Sequence, residues 1–213
     1  MIGKSAGKSW EYLVGVYLGD GCVTTYNGKP SFALNTIDAD FAGATRSALQ
    51  AHTDHKVSVW TYPVSKSSKP NHQLRCDDAA LCARLVAETD GKAKLPAWIW
   101  TTDQDGRLAF IAGLMDSEGF VTKNGAGSTY MGFKSTDVWF DDFVRVLNKS
   151  GIQIGKIGVE RPLKPHYRTP KRFTIKMSSW VKSGAYFHIA RKQARVDAWT
   201  AQLTSETNMQ SAA

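Results

Sequence analysis

Two carboxylates in this chain stand where local structure gives no reason for them. Asp20 follows "LVGVYLG", Glu118 follows "IAGLMDS", and each is closed by a glycine, Gly21 and Gly119. Leu13, Val14, Val16, Tyr17 and Leu18 recur at helical spacing, so Asp20 arrives in the last turn of a helix. A negative charge there faces the negative end of the helix dipole, at a cost of a few tenths to about 1 kcal/mol. Asp-Gly is also an ordinary turn signal, with Gly21 as the left-handed residue that ends the helix. Repetition argues for more. At a constant offset of 98, Gly15 lies over Gly113, Gly19 over Ser117, Asp20 over Glu118 and Gly21 over Gly119. The small residues, four apart in each stretch, share one helix face and permit close backbone approach. Two such helices side by side bring Asp20 and Glu118 together, where like charges repel unless a cation sits between them. Hard oxygen ligands without a histidine cluster suit Mg2+, with Mn2+ as substitute, better than zinc.

The elements that would hold these acids also repeat. After Gly21 come two alternating runs joined by an Asn-Gly turn, then a helix over Asp38 to Ala51, strands "KVSVWTY" and "HQLRCD", and a helix from Asp78 with Asp77 as its N-cap. After Gly119 come "FVTKN" and "YMGFKST", a helix from Val138 to Lys149, strands "IGKIGVE" and "RFTIKMS", and a long helix near Tyr186 to Gln202. The expectation is an α+β fold of two pseudo-symmetric αββαββα halves, residues 10–100 and 101–203, between a basic tail at 1–9 and a polar, fraying tail at 204–213.

Composition limits the partners. Within 213 residues, 42% of them hydrophobic, there is material for a sizeable core. No apolar run approaches the roughly 18 residues that span a bilayer, and the N-terminal stretch has no signal-like apolar core, so a soluble, intracellular protein without membrane contact is expected. The net charge of +8 is regional: residues 120–195 hold 15 Lys/Arg against 4 Asp/Glu, and the rest of the chain 12 against 15. Interleaved with Tyr130, Tyr167 and Trp180, this surplus points to nucleic acid. "GKSAGKS" has one residue too few between its glycines, and no strand before it, for a phosphate loop. A zinc site from His72, Cys76 and Cys82 is conceivable, but their spacing is that of core residues.

Together, "LVGVYLGDG" and "IAGLMDSEG" resemble the paired signature helices of the LAGLIDADG homing endonucleases, in the single-chain, two-motif form. "KAKLPAWIW" resembles the K-x-[IL]-P stretch of that family. The resemblance implies two curved antiparallel sheets straddling the major groove of double-stranded DNA, packed through the motif helices, and a monomer that cuts both strands at a long asymmetric site to serve intron homing. It implies metal at Asp20 and Glu118, with the carbonyls of Gly19 and Ser117 completing the shell. It makes Lys94 a catalytic lysine, Arg191 or Lys192 its counterpart, and places Asn35 and Lys134 near the two scissile phosphates. Leu18 stands where the second motif has Asp116, so Asp116 is read as structural. Strand alternation gives outward donors suited to base edges: Thr24, Tyr26, Ser58, Trp60, Gln73 and Arg75, then Thr122, Asn124, Arg168, Arg172, Thr174 and Lys176. The rival readings are a maturase acting on intron RNA and a DNA-binding regulator that does not cut. The scattered histidines do not supply an HNH nuclease, and without a terminal His-Asn the chain is not expected to be a whole intein.

Overall fold

The computed structural model describes residues 8–63, 69–125, 127–162 and 168–211, with side chains to Ser205. Tyr167 and residues 1–7 of the expected basic tail lie outside the described residues. Lys8 and Ser9 belong to the fold: Ser9 opens α1 (Ser9–Leu18), and Lys8 pairs with Asp103 at 3.0 Å.

Eight of the ten residues of α1 are buried, and α4 (Gln104–Ser117) is buried continuously from Leu108 to Asp116. Neither helix has a polar face, because each is covered by the other as well as by its own sheet. They cross at Gly15 and Gly113. A Cβ on Gly15 would lie 2.3 Å from the Phe110 carbonyl oxygen, and one on Gly113 would lie 2.2 Å from that of Tyr12. Only hydrogen fits at the crossing.

Each motif helix feeds a four-stranded antiparallel sheet of the same topology. The first comprises β1 (Cys22–Tyr26), β2 (Lys29–Thr36), β3 (Val57–Tyr62) and β4 (Asn71–Cys76), in the order β1-β2-β4-β3, with α2 (Ala39–Gln50) and α3 (Ala79–Thr89) between and after its hairpins. The second comprises β5 (Gly119–Lys123), β6 (Thr129–Ser135), β7 (Gly158–Val159) and β8 (Lys171–Ile175), in the order β5-β6-β8-β7, with α5 (Phe140–Lys149), α6 (Met177–Ser183) and α7 (Ala190–Ser211). The α+β, pseudo-symmetric expectation is met. Asn27 and Gly28, both at positive φ, make the hairpin turn their types predict. Phe32, Leu34 and Leu74 face the core in one sheet, and Met131, Phe133, Phe173 and Ile175 in the other, within a hydrophobic cluster that includes both motif helices.

Several local expectations are corrected. Gly21 is not left-handed; it is a glycine because a Cβ would lie 2.9 Å from the Phe32 ring. Asp78, not Asp77, caps α3, while Asp77 accepts from the Ser31 hydroxyl. Only Gly158 and Val159 of "IGKIGVE" pair as a strand, with Arg172 and Lys171, and Ile154 bridges singly to Ile175. Met177 and Ser178, read as strand, open the short helix α6. The last helix starts four residues later than expected and continues through Ser211, so positions 204–211 of the expected polar tail are helical. Among the described residues no helix is long and apolar enough to cross a membrane.

Candidate functional site

Because α1 and α4 run side by side, their C-terminal ends emerge together between the two sheets. A Cβ on Gly19 would touch Ser117 at 2.3 Å and the Glu118 side chain at 3.5 Å, so the two acidic ends are in contact. Each end carries a lysine. Lys92 Nζ donates to the Gly19 carbonyl at 2.8 Å, and Lys192 Nζ donates to the carbonyls of Met115 and Asp116 at 2.9 and 2.7 Å. These ammonium groups offset the negative poles of the helices, the place where cations stabilise most.

The carboxylates remain undercompensated. The protein walls around Asp20 raise its pKa by desolvation, against the pull of Lys192 and Lys92, although the residue as a whole is exposed. Burial, and then the charges of Asp20 and Asp137, push Glu118 up to about 7. Burial likewise lowers Lys92, and lowers Lys192 to about 8. Two acids that resist ionising together, with carbonyl oxygens beside them, are the donor set a hard divalent cation neutralises. Among the described residues no group of three or more His, Cys, Asp or Glu could hold a metal, so any ion shared by Asp20 and Glu118 would need carbonyl or water oxygens to complete its shell. The alternative zinc set is not assembled: Cys76 and Cys82 are buried in the core, and His72 bonds to Thr61.

Two cavities open on either side of the acids. One of about 540 Å³ is lined by Asp20, Asn35, Asp38, Arg191, Lys192 and Arg195. The other, about 440 Å³, is lined by Glu118, Lys134, Ser135 and Asp137. Asn35 and Lys134 are thus each brought beside one acid, but Lys134 is ion-paired to Glu160, which also holds Arg172 at 2.9 Å. Lys94, the expected catalytic lysine, does not reach the acids in the fold. Its side chain is exposed, and Lys92 is the lysine that reaches the motif end. Three successive left-handed residues, Asp90, Gly91 and Lys92, fold that segment back, which residue order alone does not reveal. The signal that finds Lys92 is repetition, since it lies 100 positions before Lys192. Gly19 offers its carbonyl to Lys92, and the Ser117 hydroxyl donates to Gly113.

Nine of the twelve nominated base readers lie on the outward faces of the sheets. In the first, Asn35, Gln73 and Trp60 form one cross-strand row, and Arg75 sits between Ala33 and Ser58 in the next. The Arg75 guanidinium lies 3.4 Å from the Tyr26 ring centroid and 5.6 Å from that of Trp60, so two exposed aromatics aim it. Thr24 is exposed beside them, whereas Ser31 and Ala33, on the same face, are buried. In the second sheet Thr122, Arg172 and Thr174 share the outward face with Tyr130 and Lys134. Asn124 closes the β5–β6 turn by accepting from the Ser128 amide, Arg168 is exposed before β8, and Lys176 is exposed at the start of α6.

No family model and no curated protein matches the chain. Solved structures do. A variant of I-DmoI in complex with its target DNA in the presence of manganese superposes with a TM-score of 0.56, at 16% identity, over 85% of this chain and 94% of that one. The homing endonuclease I-WcaI bound to its DNA recognition sequence gives 0.57 at 8% identity, over 86% and 82%. The N-terminal LAGLIDADG domain of DUF199/WhiA gives 0.53 at 12% identity, over 84% and 80%. The structural neighbours of this chain are LAGLIDADG proteins, and it has their fold.

Proposed function

We propose that the chain is a monomeric, Mg2+-dependent homing endonuclease that breaks both strands of double-stranded DNA at a long asymmetric site. One observation carries the reading: Asp20 and Glu118 converge at the ends of two crossing helices, each flanked by a lysine, between two sheets whose outward faces bear Arg, Lys, Asn, Gln and Thr. The neighbours I-DmoI and I-WcaI, solved with DNA, support it.

The residues divide the work. Asp20 and Glu118, with the Gly19 and Ser117 carbonyls, would hold the ion, which when bound supplies charge neutralisation at the scissile phosphate and a more acidic water. Lys192 and Lys92 stand one on each side, where an ammonium stabilises negative charge building on the phosphate. Asn35 and Lys134 line the same two cavities and can orient water or a phosphate oxygen. Arg75, Gln73, Arg172, Thr174 and their neighbours read base edges, at roughly 1–3 kcal/mol for each good bidentate contact.

The test is cleavage of a pooled library of long duplexes with Mg2+, Mn2+, Ca2+ or EDTA, with cut ends read by sequencing. Discrete double-strand cuts that require Mg2+ or Mn2+, and that vanish in Asp20→Asn and Glu118→Gln while binding persists, support the assignment. Cutting of both strands by either variant at the wild-type rate overturns it. The WhiA neighbour is not named as an endonuclease and sustains a second reading, a binding module for DNA or intron RNA. Binding without cutting under every metal would favour that reading.

A further inference from the structure

The two halves repeat each other closely enough for their differences to be read residue by residue. Asp38 and Asp137 are equivalent: each follows the second strand of its half, and each amide bonds the hydroxyl two residues earlier, Thr36 or Ser135, at 3.1 Å. Lys92 and Lys192 are equivalent at the motif ends. Two substitutions break the symmetry. Gly91 occupies the place of Arg191, and Leu18 the place of Asp116.

Both differences act on the start of α7. The Asp116 side chain is 2% exposed at the residue level and lies within the protein between the two motif helices and the 186–192 segment. It accepts from the His188 amide at 3.1 and 3.2 Å, from the Ile189 amide at 3.3 Å and from the Tyr12 hydroxyl at 3.1 Å, and it lies 3.1 Å from His188 Nδ1. Arg191 grips both oxygens of Asp38 at 2.7 Å, and the Ala190 amide donates to Asp40. Lys192 follows directly, 4% exposed, on the carbonyls of Met115 and Asp116. Residues 185–189 are non-helical, and side chains take four of their amide protons: the Ser183 hydroxyl that of Ala185, Gln193 Oε1 that of Phe187, and the Asp116 carboxylate those of His188 and Ile189. Lys92, in contrast, is presented by a short left-handed turn with neither anchor.

We infer that Asp116 and Arg191 are positioning residues for one strand only: they fix Lys192 beside Asp20, and the cavity beside Glu118 works without them. The inference rests on the nuclease reading for its consequence and on the structure for its mechanism. Loosening the anchor should slow one cut, leaving the enzyme a nickase.

The experiment uses the duplex that the wild-type enzyme cuts from the pooled library, placed in a supercoiled plasmid. Asp116→Leu installs the residue of the first motif. It should raise the ratio of nicked to linear product at least tenfold, spare the same strand as Lys192→Met, and bind DNA within about threefold of wild type. Asp116→Asn, which keeps one acceptor oxygen, should lie between. Hydrogen exchange at the His188 and Ile189 amides should quicken at least tenfold in Asp116→Leu while the β6 and β8 amides keep their protection. Equal slowing of both cuts in a protein of unchanged melting temperature overturns the inference. If Asp116→Leu does not fold, Arg191→Gln must show the same strand bias, and its absence overturns the inference. If the wild-type enzyme nicks no duplex, the nuclease reading falls by itself, and unaltered amide exchange at His188 and Ile189 refutes the anchor.

Discussion

Burial and two neighbouring acids, Asp20 and Asp137, hold a proton on Glu118. Its pKa, about 7 in the fold against 4.5 for an ordinary glutamate, means the folded protein holds a proton that the unfolded chain releases. The contribution to stability is fully present below the unfolded value of 4.5 and is lost as pH rises through about 7. Above that, the ionised side chain sits beside Asp20 at a cost. In EDTA, Glu118→Gln should therefore be more stable than wild type at pH 8 by about 1–2 kcal/mol, after discounting for solvent screening, with the gain closing toward acid pH in urea titrations. A second residue-scale prediction separates the two lysines of "GKAK". Lys92→Met should lower the rate of one cut at least ~100-fold, as loss of a preorganised charge does, whereas Lys94→Ala should leave cleavage within about threefold. If Lys94 proves the sensitive one, the placement of Lys92 on the Gly19 carbonyl is not the working arrangement. Both acids were legible in the sequence because they repeat in register. Lys92 was marked there only by its counterpart Lys192, 100 positions on, because what brings it to the site is backbone handedness at Asp90 and Gly91.

At the scale of elements, the crossing of α1 and α4 decides where the acids meet. A Cβ on Gly113 would overlap the Tyr12 carbonyl and come 2.8 Å from the Val16 amide nitrogen, both backbone atoms that cannot rotate away. Gly113→Val should destabilise the protein by about 3 kcal/mol or more, read as a lower urea midpoint. Gly43→Ala, on the exposed face of α2 with nothing within 4 Å, should instead gain a few tenths to about 1 kcal/mol. The helices and hairpins that bury a face were legible from periodicity, because their side chains need a partner surface whichever partner it is. The elements that escaped are those fixed by single distant contacts. β7 shrinks to two residues in a glycine-spaced segment, α6 begins where the Gln153 amide donates to the Ser179 hydroxyl, and α7 waits for Asp116 to release the chain. None of these contacts has a period.

For the molecule as a whole, the surplus of positive charge is partly spoken for inside the protein. Glu160 stands on the outward face of the second sheet, ion-paired to both Lys134 and Arg172, cations of adjacent strands. On the nuclease reading, a carboxylate there would compete with the DNA backbone for both groups. On that reading it would weaken binding to any duplex equally, and so leave more of the discrimination to base contacts. Glu160→Gln should tighten binding to non-specific duplex by about 3–10-fold at low salt and steepen the dependence of log K on log salt by about 1–2, as one or two more phosphates become neutralised. The advantage should fade as salt rises through the physiological range, because the added contacts are those that salt screens. Fluorescence anisotropy with a duplex lacking the target site, titrated at several salt concentrations, measures both quantities. An unchanged slope with unchanged affinity would mean that Lys134 and Arg172 lie away from the backbone. Weaker binding confined to the true target would make Glu160 itself a base reader, accepting a hydrogen bond from a cytosine amine in the groove.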